Sequence, residues 1–198
     1  MTTTMNHNII VPTVIKDVIE FRPQIHGDSR GYFFEAFRAS WLEDCGVSVS
    51  FVQQNQSFSQ QGVLRGLHYQ TVQPQGKLVR ALSGEIYDVA VDIRANSATF
   101  GQWVGIVLND QLKNSLWVPA GFAHGFLVMS KTADIAYQCT DYYHPSSEIS
   151  IHWQDQDLDI QWPLESGDIT TSAKDDAGIA FKSVPQLPQE STIDSTKI

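Results

Sequence analysis

A chain of 198 residues, 42% of them hydrophobic, has the material for one sizeable domain and is short for two. Thirteen Lys+Arg against 22 Asp+Glu leave a formal net charge of −9, which argues against a surface that neutralises nucleic-acid phosphates or lies on anionic lipid; an anionic ligand would need a local basic pocket. The two cysteines, Cys45 and Cys139, have no metal-ligand spacing and fit reduced thiols in a cytoplasmic protein better than a disulfide framework.

The opening MTTTMNHNIIVPTVIKDVIEF lacks a basic leader, and Pro12 and Thr13 break its apolar run, so no signal peptide is expected. No apolar stretch approaches the ~20 residues that cross a bilayer, which sets a membrane-spanning role aside. A strand is expected over 15–21. The turn-rich HGDSRG then leads into YFFEAF, whose aromatics favour a strand; Arg30 and Glu35 bracket this turn and strand, and Arg30 taken alone reads as a solvated turn charge. A short helix over 40–45 holds Trp41 and Leu42 and ends at Gly46. Residues 49–58 alternate as a strand, with Gln53, Gln54 and Asn55 at its polar end, where the amides serve either a ligand or an exposed edge.

The segment 62–94 reads as three strands over 62–70, 77–82 and 85–94, the last two joined by a tight Ser83-Gly84 turn. Its one histidine, His68, precedes the loop 71–76, after which Lys77 opens the next strand. Two strands so joined set an imidazole and an ammonium on neighbouring walls, a pair suited to taking a proton from an anionic substrate. In the third strand Tyr87, Val89, Val91 and Ile93 form a core face, leaving Asp88, Ala90 and Asp92 on the other, where two carboxylates meet either solvent or a polar cavity that orients a base. In the first strand Arg65 and His68 have opposite parity. Both serve one pocket only if a bulge intervenes, with Gly66 its natural place.

Further strands are expected over 99–108, 115–118, 122–130, 133–141, 149–153 and 158–162, and a short helix in TTSAKDDAGIAF. Repeated short strands with turns between them and no βαβ rhythm point to an all-β antiparallel sandwich or barrel. After Phe181 the polar, Pro-containing end reads as loosely ordered, giving one domain over 1–181 and a tail over 182–198.

The segments DSRGYFFE at 28–35, QQNQSFS at 53–59, GVLRGLHYQ at 62–70, PQGKLVR at 74–80 and YDVAVDIR at 87–94 are followed by TFGQW, LWVPAGFAHGF, TDYYHPSSE and SAKD. In that order, over 21–181, they make a chain that strongly resembles the sugar-nucleotide epimerases of the dTDP-4-dehydrorhamnose 3,5-epimerase family. The resemblance implies a cupin-type jelly roll with a few short peripheral helices, usually a homodimer in which a strand region of one subunit contributes to the other's pocket. It implies inversion of C3 and C5 of dTDP-4-dehydro-6-deoxyglucose with no metal or organic cofactor.

The chemistry follows from the sugar's C4 ketone, which acidifies the hydrogens on both adjacent carbons. A base on one face forms an enolate and an acid on the other face returns a proton, inverting the centre. The resemblance carries His68 to the base, Tyr137 to the proton donor and Asp175 to the carboxylate that fixes the His68 tautomer, with Asp88 the alternative for that last role by its parity. Tyr142 and Tyr143 lie close to Tyr137 in sequence. Lys77 and His124 match positions near the reacting sugar, Arg65 suits oxyanions, and Arg30 and Glu35 match the region that crosses the dimer to the nucleotide. Gln53, Gln54, Asn55, Glu148 and Lys174 match further binding positions, with surface polar roles open for the last two. Rival readings are a metal-dependent cupin enzyme, which would need more histidines than His68 and the distant His124, a non-catalytic carbohydrate-binding module, and a relative that inverts only C3 or only C5.

Overall fold

The computed structural model describes residues 9–165, 168–185 and 187. Short strands separated by turns form two antiparallel sheets, the all-β sandwich expected from the turn spacing and the jelly roll that the resemblance implies. In one sheet β1 (Ile10–Pro12), β2 (Ile19–Phe21), β10 (Ser115–Val118), β7 (Lys77–Ser83), β12 (Thr132–Cys139) and β5 (Gln53–Gln60) lie side by side in that order. The other runs β13 (Glu148–Ser150), β6 (Leu64–Gln70), β11 (Phe122–Val128), β8 (Glu85–Asp92) and β9 (Trp103–Asn109). A separate hairpin pairs β3 (Ile25–Asp28) with β4 (Gly31–Phe34), and two short helices, α1 (Ala39–Asp44) and α2 (Ala173–Asp176), complete the elements that matter here.

Val79, Ile86, Ala90, Leu116, Phe126 and Ile135 pack together between the sheets. Each large side chain fully buried in this way contributes roughly 1.5–3 kcal/mol. The expectation of a single core face on β8 is too simple. Val89, Val91 and Ile93 do form an apolar face, but it packs outward under Ile151, Leu158, Val184 and Leu187, while Ile86, Asp88 and Ala90 face the sandwich interior. The C-terminal third of the chain thus makes a cover over the five-stranded sheet. Val184 and Leu187 of the 182–198 segment belong to this cover, and residues 186 and 188–198 lie outside the described residues.

Two expected strands differ. Of 15–21 only β2 pairs, because Thr13 Oγ1 donates to the carbonyls of Ile15 and Val18, both at 2.8 Å, and ties 13–18 into a turn. Residues 158–162 form no strand: Asp159 has φ +46 and its N–H donates to Asp155 O at 3.0 Å, so Leu158, Ile160 and Trp162 reach the sheet from a looped backbone that imitates strand alternation.

The bulge expected at Gly66 is present. His68 pairs with His124 and Arg65 with Phe126, so two residues of β6 oppose the single Gly125 of β11. Gly66 has φ +136, and a Cβ there would lie 2.5 Å from the Gly125 Cα, so both the backbone angle and the strand approach require glycine.

Candidate active site

Polar side chains from both sheets line a cavity of about 720 Å³ beside the apolar filling, within the ~300–1,000 Å³ usual for small-molecule pockets. Strands β6 and β11 contribute Arg65, His68 and His124. Strands β5, β7 and β12 contribute Gln53, Asn55, Lys77 and Tyr137, and Glu148, Lys174 and Asp175 come from β13 and α2. The bulge is what lets Arg65 and His68 share this space.

The His68 Nε2 lies 2.5 Å from Asp175 Oδ1. A carboxylate only accepts, so Nε2 carries the proton and the imidazole lone pair is left on Nδ1. Asp175 is in turn held by Ser172, whose hydroxyl donates to Asp175 Oδ2 at 2.7 Å while Ser172 caps the start of α2. Burial disfavours the Asp175 charge, but the hydrogen bonds from His68 and Ser172 outweigh it and hold the carboxyl below its ordinary range. On the Nδ1 side, Glu148 Oε1 stands at 3.9 Å; its Oε2 accepts from Tyr143 Oη at 2.7 Å and Lys174 Nζ at 2.5 Å. Burial opposes this charge too, yet the Lys174 and Tyr143 hydrogen bonds and His68 keep Glu148 below the usual carboxylate range, and the same bond pushes the Tyr143 phenol up to about 12.

Asp88 does not partner His68. Both of its oxygens lie within 3.0 Å of His124 Nε2, so each aspartate has its own histidine. Lys77 takes part in none of the ion pairs among the described residues, and burial lowers its pKa. A desolvated, unpaired ammonium facing a cavity is a strong site for a developing oxyanion. Tyr137, opposite Asn55 and Val79 in register, has its phenol pKa raised by burial, which keeps it protonated. Arg65 Nε donates to Ser59 Oγ at 3.1 Å, fixing the guanidinium from one side.

Not every expected residue meets here. Gln54 faces away from the cavity between inward Gln53 and Asn55, as strand parity demands. Arg30 pairs with Asp28 at 2.5 Å on the exposed β3–β4 hairpin, and Glu35 pairs with Arg38 at 2.7 Å; neither lines the cavity of its own chain. Ser172 was missed, although its Ser-x-x-Asp spacing before SAKD's aspartate is a capping signal. Ser59 left no signal beyond its strand parity. Among the described residues no group of three or more His, Cys, Asp or Glu side chains is placed to hold a metal ion.

A profile of the dTDP-4-dehydrorhamnose 3,5-epimerase family matches residues 12–183. A dTDP-4-dehydrorhamnose 3,5-epimerase of Pseudomonas aeruginosa is 52% identical over 175 residues, 88% of this chain and 96% of its own length. A crystal structure of a dTDP-6-deoxy-D-glucose-3,5-epimerase from Legionella pneumophila, in complex with dTDP-4-keto-L-rhamnose, superposes with a TM-score of 0.88 at 50% identity, covering 92% of this chain and 98% of that one. More distant is a 3'-monoepimerase from Streptomyces bikiniensis in complex with dTDP-quinovose, at TM-score 0.78 and 32% identity over 86% of this chain and 87% of that one. With the profile spanning nearly all the described residues and half of all aligned positions identical in full-length relatives, this chain belongs to the dTDP-4-dehydrorhamnose 3,5-epimerase family.

Proposed function

We propose that the chain inverts C3 and C5 of dTDP-4-dehydro-6-deoxyglucose to give dTDP-4-dehydro-L-rhamnose. The observation that carries this is one cavity holding a basic imidazole nitrogen, a protonated phenol and an unpaired ammonium together. His68 Nδ1 removes the hydrogen next to the C4 ketone, and Asp175 stabilises the imidazolium that forms. The negative charge moves onto the C4 oxygen, where the Lys77 ammonium receives it, and the Asp88-held His124 lines the wall beside it. Tyr137 then returns a proton to the opposite face of the carbon. The cycle is redox-neutral and the Lys77 ammonium supplies a cation for the enolate, so we assign no metal or organic cofactor to it; activity retained after chelation and dialysis is the expected result.

Arg65, Gln53 and Asn55 hold the remainder of the substrate, with Glu148 and Lys174 at the rim. Arg30 and Glu35 act from a second copy of the chain. A two-stranded hairpin alone is marginal in water, and this one carries Tyr32 and Phe33 at 61% and 72% exposure, which favours a homodimer that docks it at the neighbour's cavity. Two free cysteines suit a reducing compartment, and on that ground the enzyme is proposed to work in the cytoplasm.

A reading in which only one centre is inverted draws support from the resemblance to the monoepimerase. Proton NMR of the sugar after incubation with dTDP-4-dehydro-6-deoxyglucose in D2O separates the two: inversion and deuterium at both C3 and C5 are expected, change at a single centre selects the mono-epimerase, and an untouched sugar overturns the proposal.

A further inference from the structure

The reaction leaves a proton balance to settle. Each inversion puts a substrate proton on His68 and takes another from Tyr137, so the cavity then holds an imidazolium and a phenolate, and both must be reset before the next event. Asp175 gives His68 no way out: it is buried, its Oδ1 is bound to Nε2 and its Oδ2 takes the Ser172 hydroxyl. The other nitrogen is placed differently. Nδ1 faces Glu148 Oε1 across 3.9 Å, a gap that one side-chain rotation closes or one water spans. The second oxygen of the same carboxylate meets the Tyr143 hydroxyl and the Lys174 ammonium, and these stand at the surface, 51% and 49% exposed. Glu148 is therefore one contact from the base on one side and in touch with the solvent rim on the other.

We propose that Glu148 passes the proton from His68 Nδ1 to solvent while the enolate is held and before the next inversion, a role beyond substrate binding that rests on the epimerase reading of this cavity. Only a proton moves. The N–H bond of the imidazolium breaks, an O–H bond forms on Glu148 Oε1, and water at the rim removes that proton, so imidazole and carboxylate end as they began. Burial alone would favour the carboxylic acid, but Lys174, Tyr143 and His68 together favour the anion, so the proton passes through without being stored.

The test follows isotope at the base, with protiated dTDP-4-dehydro-6-deoxyglucose in D2O and initial-rate mass spectrometry of recovered substrate and product. Wild-type enzyme deuterates both, since His68 exchanges its proton before returning it. In Glu148→Gln the product still gains deuterium from Tyr137, whereas recovered substrate gets back the proton it lost, so the substrate-to-product deuterium ratio falls by about tenfold or more. Glu148→Asp, which keeps a carboxylate, recovers part of the ratio. Because the ratio is internal to each sample, a change in KM or in the amount of folded enzyme leaves it unmoved. An unchanged ratio in Glu148→Gln, or wild-type enzyme that deuterates product alone, overturns the transit role while leaving the epimerase intact; wild-type enzyme that deuterates neither overturns the epimerase reading itself.

Discussion

Strands β6 and β11 are neighbours, and each carries a histidine on an aspartate at paired positions, His68 opposite His124. The two pairs differ in where the aspartate comes from and in what surrounds the ring. Asp88 sits across the adjacent β8 and reaches His124 from within the sheet, with side-chain exposures of 8% for the histidine and none for the aspartate. Asp175 arrives from α2, 107 residues away in sequence, and leaves His68 at 23% exposure with a free Nδ1. The same two residue types thus give a nearly buried pair in one case and a more exposed ring, the one we propose as the base, in the other. Both rings line the cavity, and the greater exposure of His68 is what separates them.

Substitutions break this comparison in order of size. His68→Ala removes the base and is expected to cost about 10⁴-fold or more in kcat, with dTDP binding still measurable by calorimetry. Asp175→Asn keeps the shape but loses the charge that favours the imidazolium, and steady-state kinetics should show a loss of about 10³-fold in kcat with little change in KM. Lys77→Met takes away the oxyanion's cation, a loss of about 10²–10³-fold. His124→Gln should cost less in rate than His68→Ala and more in thermal stability, because it disrupts the pairing and packing around the buried Asp88; a melting curve beside the kinetics checks the split. If His124→Gln proves the more damaging to kcat, the two histidines have exchanged roles.

The pH responses sharpen it further. Lys77 has its pKa depressed by burial, so it loses its charge below the 10.5 of an ordinary lysine, and the alkaline limb of kcat should fall in that range. Tyr137 is shifted the other way and stays protonated there. Lys77→Arg should therefore move the limb upward, since a guanidinium remains charged. The smallest expected effect is on stability in acid. The Asp175 carboxyl lies below its unfolded value of 3.8, so its contribution is present above that pH and is lost as pH falls through the folded pKa; Asp175→Asn should flatten this part of the stability profile measured by denaturant titration.

Much of this was legible in the residues. Period-two alternation gave the sheets, and the opposite parity of Arg65 and His68 around a glycine demanded the bulge that is present. The motifs brought His68, Tyr137 and Asp175 together across long sequence separations that periodicity cannot bridge. What stayed hidden has physical causes. The outward face of β8 looks the same in sequence whether it meets water or a cover, and 158–162 carries strand alternation without a strand partner. The choice between Asp88 and Asp175 as partner of His68 depended on tertiary placement, because parity only says that Asp88 faces inward and not which histidine awaits it.

The contact between Gly66 and Gly125 sets a limit on redesign. Arg65 and His68, to which we assign anion binding and proton removal, are indexed to each other by one kink, which two side-chain-free positions on adjacent strands make possible. Any library that varies residues 64–68 while filling either glycine, or deletes a residue to straighten the strand, would turn one of the two functional groups out of the chamber at a stroke. Altered substrate preference is better sought on β5 and β13, where side chains can be exchanged without re-indexing the catalytic strand.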